Sequence, residues 1–220
     1  MKDKIRKSYR QSRNIYDDVL TRSNWWSRLY MDLFWDGVDD NVIARKVLSF
    51  IPDDFRGKML DVPVGTGVFT AAKYAAMGLA DITCLDYSSD MLDRARARFG
   101  NMGIGNVKLI QGDVGALPFK DGSFDIVLTM NGFHAFPDKE KAYSEVNRVL
   151  KTGGRLVGCF CIQGESRRTD WLMKRILSRK GWFTPPFETF ESLRTRLESG
   201  YRLDEYRKEG SIVYFFVTKI

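Results

Sequence analysis

From Lys58 onward, short apolar runs alternate with helical patterns, and this alternation limits the fold more than any other feature of the chain. Strands separated by helices of about one crossover length are the mark of βαβ units, which force a mostly parallel sheet with helices on its faces. The pattern predicts strands over 58–62, 81–86, 107–111, 124–130 and 155–162. It places helices over 68–77, closed by Gly78; from Ser88 or Ser89 to Gly100; and over 138–150, ended by Thr152-Gly153-Gly154. These glycines fit the left-handed position that follows a helix. Near the end, strand-like residues 202–206 and 211–218 are separated only by a turn at Lys208-Glu209-Gly210, a link short enough to require antiparallel pairing. The expected architecture is therefore an α/β sandwich with a seven-stranded sheet, mostly parallel and finished by an antiparallel C-terminal hairpin.

A chain of 220 residues is large enough for one substantial core and short for two. Residues 58–220 read as the α/β unit, and residues 1–57 as a helical cap of the same domain over the end of the sheet. That cap carries a dense aromatic set, including Tyr16, Trp25, Trp26, Tyr30, Phe34 and Trp35. Cys84, Cys159 and Cys161 all fall in apolar runs, and their odd number suits no secreted disulfide framework, so buried free thiols in a reducing, cytoplasmic setting are expected. With one histidine in the chain, no metal site suggests itself. The N-terminus is charged without a following apolar stretch, and no run reaches membrane-spanning length. The net charge of +7 is concentrated at 1–13 and 151–220, a rim that suits an anionic acceptor, a lipid surface or RNA, and equally a solvated surface.

The chemistry gathers where strands end. In Leu60–Gly67, LDVPVGTG, Gly65 and Gly67 let the backbone turn sharply and admit a ligand close to it. Pro63 and Thr70 occupy the outer positions of a dinucleotide fingerprint, so that fingerprint is not met, and Asp61 would repel a pyrophosphate while pairing with a ligand ammonium. Asp86 closes the second strand, where a carboxylate takes both hydroxyls of a ribose. Asp113 follows the third strand and suits an exocyclic amine. Three acids in series along one sheet edge, with a glycine turn after the first, indicate a nucleoside ligand.

Gly65-Thr66-Gly67, Leu85-Asp86, Gly112–Phe119, Ser123-Phe124-Asp125 and Leu150–Gly154 occur in the order and spacing of the motifs of the class I S-adenosylmethionine-dependent methyltransferases, which the chain resembles over about 58–165. The resemblance implies a Rossmann-like methyltransferase sandwich and S-adenosyl-L-methionine as cofactor, with S-adenosyl-L-homocysteine as product. It places Asp61, Pro63, Gly65, Thr66 and Gly67 by the methionine moiety, Asp86 on the ribose, Asp113 and Val114 at the adenine, Tyr87 and Met91 flanking its ring, and Met130 and Asn131 near the sulfonium. It also implies a small-molecule branch, with a likeness to quinone C-methyltransferases in the cap and the Leu117-Pro118-Phe119 segment.

The acceptor side is expected at Trp25, Trp26, Tyr30 and Trp35, with His134 as a candidate base or as an organiser of its loop. Residues 165–180 form an amphipathic pattern, either a surface helix packed on the sheet or a peripheral membrane contact or lid for an anionic or lipid-like acceptor. The expected activity is methyl transfer to a small molecule. The alternatives are an RNA methyltransferase, against which no RNA-binding module is appended, and a non-catalytic cofactor-binding regulatory subunit. Nothing suggests DNA as a partner.

Overall fold

The computed structural model describes residues 38–220. These form helix α1 (Asp40–Ser49), then β1 (Lys58–Asp61), α2 (Ala71–Ala76), β2 (Asp81–Asp86), α3 (Ser89–Asn101), β3 (Val107–Gln111), β4 (Phe124–Met130), α4 (Lys139–Val149) and β5 (Leu150–Cys161). After β5 come α5 (Arg167–Leu172), a π-helical segment (Met173–Leu177), α6 (Ser178–Lys180), α7 (Phe190–Glu198), β6 (Tyr201–Glu209) and β7 (Ile212–Lys219). The strands make one seven-stranded sheet in the order β3-β2-β1-β4-β5-β7-β6. The first five strands pair in parallel, and β7 pairs antiparallel with both β5 and β6. This is the expected fold class. Its hairpin is tighter and longer than predicted, turning at Gly210, whose φ of 52° suits glycine.

Strand alternation sends successive side chains to opposite faces, which makes two cores. Met59, Ile82, Cys84, Ile126, Leu128 and Cys159 pack under α1, α2 and α3. Leu60, Leu85, Val127, Leu156, Phe160 and Phe215 pack under α4 and α7. All three cysteines are free and buried, as expected, and burial pushes the Cys159 thiol up to about 12, which keeps it inert. Among the described residues no cluster of His, Cys, Asp and Glu is arranged to hold a metal, and no helix is long and apolar enough to cross a membrane.

Helix ends differ from expectation in instructive ways. Gly78 is not left-handed, because α2 stops at Ala76 and Met77 turns the chain with its N–H on Lys73 and Tyr74 carbonyls. Helix α3 runs through Gly100, and the left-handed residue after it is Gly103, with φ of 66°. Ser88, not Ser89, caps α3, accepting the Met91 N–H. Residues 152–154 lie within β5, opposite an irregularity in β4, and do not form the tail of a helix. Helix α7 carries a capping box at Thr189 and Ser192 that the sequence reading did not pick out.

The Ser123-Phe124-Asp125 motif is a latch. Asp125 accepts from the Lys58 N–H at 2.9 Å and from Lys151 Nζ at 2.5 Å, tying the start of β1 to β4 and β5. The Leu117–Phe119 segment is pinned in the same way: the Leu117 N–H donates to Glu145, and Arg148 donates to the Leu117 and Phe119 carbonyls while pairing with Glu145 and Asp121.

Helix α1, which the sequence reading assigns to a cap over the end of the sheet, packs against β5 and β7 through Ile43, Ala44, Val47 and Leu48, completing one helical layer. Residues 1–37 of the proposed cap, including Trp25, Trp26, Tyr30 and Trp35, lie outside the described residues.

Candidate functional site

Parallel strands that run in the same direction bring the loops after β1, β2, β3 and β4 to one edge of the sheet, and a cleft of about 1110 Å³, solvent at its mouth included, opens there. Asp61, Pro63, Gly65, Thr66, Asp86, Tyr87, Met91, Asp113, Val114, Met130 and Asn131 all line it, so eleven of the twelve residues expected at a cofactor share one wall-to-wall space. Most of the remaining lining is apolar, from Val62, Val64, Val68, Phe69, Leu85, Ala135, Phe136 and Pro137. These residues were not singled out, even where Val62, Val64 and Leu85 fall inside motifs, because they contribute bulk and no polar chemistry. The one available signal was their position immediately beside strand-end acids and glycines.

The glycine loop divides its labour. Gly65 has φ of 58°, and a Cβ there would meet no protein atom within 4 Å, so its bare backbone faces the open cleft. Gly67, the twelfth expected residue, does not line the cleft. Its φ is 68°, and a Cβ would come within 2.7 Å of the Phe99 ring, so this glycine exists to let α3 close on the loop. In the loop after β4, Asn131 has φ of 55°, a conformation asparagine tolerates better than most residues and one that concentrates at ligand sites. Gly132 beside it lets Pro63, Phe136 and Thr129 approach within 2.8 Å of where its Cβ would stand.

The acids are deeply placed. Asp61 is 1% exposed and accepts from the Tyr74 hydroxyl at 2.7 Å. Burial pushes its carboxyl up to about 7, the Tyr74 bond opposing and the nearby Asp86 adding to the rise. Asp86 accepts the Gly65 N–H through Oδ2 at 2.9 Å and the Ser88 N–H through Oδ1 at 2.8 Å. Burial raises it to about 6 against those backbone bonds. Asp113 accepts the Gly115 N–H at 3.0 Å, folding the loop after β3 so that Val114 reaches the cleft. Two buried carboxyls held above their ordinary range are poised to gain from a ligand that brings positive charge or hydroxyl donors.

His134 sits elsewhere. It does not line the cleft, its ring is stacked on Phe183 at 4.0 Å, and its Nδ1 accepts the Cys161 N–H at 3.2 Å. That bond assigns the ring proton to Nε2, and burial, aided by the Lys139 charge, pushes the imidazole down to about 3. The geometry therefore favours the organising role over the base: His134 fastens the loop after β4 to β5. Because it is the one histidine in the chain, its ring proton signals are unambiguous. They are expected to hold constant from pH 5 to pH 8 in a nuclear magnetic resonance titration, whereas a midpoint near 6.5 would restore the candidate base.

A seven-stranded sheet in this order, with a glycine loop after β1 and carboxyl groups closing β1 and β2 and following β3, defines the class I methyltransferase fold. Residues 60–158 match the family described as "Methyltransferase domain", and the sheet that holds them has the class I S-adenosylmethionine-dependent methyltransferase fold. It is 44% identical over 101 residues to the demethylmenaquinone methyltransferase of Staphylococcus aureus, a stretch that makes up 46% of this chain and 41% of that relative, so the chain matches less than half the length of the curated relatives. A solved protein from Bacillus halodurans, described as a methyltransferase, superposes with a TM-score of 0.64 at 26% identity, over 74% of this chain and 71% of that one. A SAM-dependent methyltransferase from Aquifex aeolicus gives the same TM-score at 17% identity, over 93% and 98% of the two chains, a likeness of fold.

Proposed function

We propose that the chain binds S-adenosylmethionine in this cleft and transfers its methyl group to a small, largely apolar acceptor. The observation that carries the reading is the pair of buried carboxyls, Asp61 and Asp86, facing one cleft beside the bare backbone of Gly65. Both fit the donor: Asp61 suits its ammonium group, Asp86 its ribose hydroxyls, and Asp113 with Val114, Tyr87 and Met91 its adenine. The bound donor would supply an electrophilic sulfonium methyl. The protein's own work is placement. Gly65 admits the donor close to the backbone, Asp61 and Asp86 fix it by charge and hydrogen bonds, and Met130 and Asn131 face the methyl. Holding donor and acceptor in line supplies on the order of 7–11 kcal/mol of such a barrier.

The acceptor side is apolar in Val68, Phe69, Ala135, Phe136 and Pro137. That lining, with the 44%-identical relative named for demethylmenaquinone, supports a quinone-like acceptor. Trp25, Trp26, Tyr30 and Trp35 are proposed to cover the acceptor and exclude water. Buried free thiols support a reducing, cytoplasmic setting.

The test is calorimetry with S-adenosylhomocysteine in buffers of different ionisation enthalpy, followed by transfer of a labelled methyl to a panel of quinols. A carboxyl raised to about 7 is protonated at pH 6, so an ammonium that settles on Asp61 must drive a proton off. Binding is expected to release up to about one proton near pH 6.5, less as pH rises past 7.5, with affinity increasing from pH 5.5 to pH 7.5. The same raised values mean that Asp61 and Asp86 favour the folded ligand-free chain at low pH, a contribution lost as pH climbs from about 4 through 7. Tight binding of NAD without adenosylhomocysteine would overturn the reading. Binding without transfer to any acceptor would leave a cofactor-binding subunit.

A further inference from the structure

Residues 167–180 form a continuous helical rod, α5, the π-helical segment and α6 in succession. Thr169, Leu172, Met173 and Leu177 turn inward, with Leu172, Met173 and Leu177 packing around Cys161 and Phe183. The outward face carries Arg167, Arg168, Lys174, Arg175, Arg179 and Lys180, all exposed. None of these six forms an ion pair with another of the described residues, although Arg148, Arg194, Arg196, Arg202 and Arg207 elsewhere on the surface each hold a carboxylate. Like charges four residues apart, such as Arg175 and Arg179, repel one another on a helix. The face therefore carries an electrostatic cost that a negative surface relieves.

Amid these cations stands Trp171, 57% exposed. Residues 167, 171, 175 and 179 recur at every fourth position and all are exposed, so the indole lies in the basic stripe and not at its margin. Pro185 and Pro186, also exposed, follow in the same segment. A cationic stripe with no carboxylate partner among the described residues, set around an exposed indole, is the chemistry of a helix that lies in a lipid headgroup layer, where tryptophan settles and lysine and arginine meet acidic lipid.

The rod is tied to the cleft. Cys161 Sγ touches Met173 Sδ at 3.6 Å, and Phe183 stacks on His134 at 4.0 Å. The Thr184 N–H donates to the His134 carbonyl at 2.8 Å, and its hydroxyl to the Ala135 carbonyl at 3.0 Å. Ala135 lines the cleft. We propose that the outer face of residues 167–180 docks this protein on an anionic bilayer surface, setting the acceptor side of the cleft toward the membrane. The contact itself stands apart from methyl transfer, while its use in receiving a lipid-dissolved acceptor rests on the proposed function.

The full chain is to be sedimented with vesicles of phosphatidylcholine alone and of phosphatidylcholine with about one third phosphatidylglycerol. Expected is binding to the second only, weakened on the order of 100-fold in R175E/R179E and on the order of tenfold in W171A, since each basic residue and the indole contribute separately. Both variants should keep the parent's thermal midpoint and affinity for S-adenosylhomocysteine. No binding to acidic vesicles, equal binding to neutral ones, or binding that survives the charge reversal would overturn the proposal. So would displacement by an RNA homopolymer that W171A leaves unchanged, which would mark a polynucleotide surface. Vesicle failure with intact adenosylhomocysteine binding would sink the docking face alone, whereas vesicle binding without adenosylhomocysteine binding would sink the proposed function alone.

Discussion

Asp86→Ala is expected to weaken S-adenosylhomocysteine binding about 100-fold and to destabilise the fold by about 2–4 kcal/mol. The carboxylate serves two purposes at once. Its oxygens hold the Gly65 and Ser88 N–H groups, so truncation orphans two backbone donors in a site where the residue itself is 7% exposed. Leaving a buried donor unpaired costs about 1–3 kcal/mol, and hydrogen bonds to a charged group are worth about 1.5–3 kcal/mol each. The free lone pairs of the same oxygens are those proposed to meet the ribose, so loop order and ligand affinity fall together. Asp86→Asn retains one acceptor oxygen and is expected to fall between the parent and alanine in both respects. Denaturant titration reads the stability and calorimetry the affinity. A folded alanine variant with parental affinity would remove Asp86 from the site.

The second large effect separates the two glycines of the loop. Gly67→Ala is expected to cost about 3 kcal/mol of stability, combining about 1–2 kcal/mol for a left-handed backbone with the overpacking of a methyl group driven to 2.7 Å from the Phe99 ring. Phe99 cannot easily yield, being buried beside Tyr74 at 5.9 Å between ring centroids. Gly65→Ala meets no neighbour within 4 Å and should cost only about 1 kcal/mol in stability, from its backbone conformation. Its methyl stands in the cleft, however, and should lower adenosylhomocysteine affinity at least about tenfold by blocking close approach to the backbone. The paired readout is decisive because the two variants differ in which quantity moves. If Gly67→Ala lost affinity and kept its stability, the division of roles would be reversed.

Much of this site could be read before any coordinates. Asp61, Asp86 and Asp113 each stand where an apolar run gives way to a turn, and in a parallel sheet such points share an edge, so local periodicity alone predicts their company. Gly65 was legible for the same reason. Gly67 was not, because its constraint is the Phe99 ring, 32 positions later in the sequence, and a motif shows that a glycine is needed without showing what it avoids. Asp125 likewise matches a family motif, yet it acts at the beginning of β4 on Lys58 and Lys151 and has no place in the cleft.

His134 marks the boundary most clearly. Its position after β4 made it a candidate base, since the chain order brings it within a few residues of Met130 and Asn131. Which way a side chain points from such a loop depends on the partners that compete for it. Here the Cys161 N–H and the Phe183 ring, both supplied by later segments, draw the imidazole off the cleft, while Phe136 and Pro137 fill the wall in its stead. The lack of a carboxylate beside the 167–180 cations among the described residues is of the same kind: periodicity shows that they share a face, but only the packed chain decides whether a carboxylate comes to meet them. The amino-acid sequence by itself determined the order of strands and helices, the antiparallel end of the sheet and the acids along its edge, because these follow from periodicity and short links. The tertiary structure decided which glycine faces the cleft, which loop residues form the wall and where the histidine turns, because those outcomes rest on contacts between residues far apart in the chain.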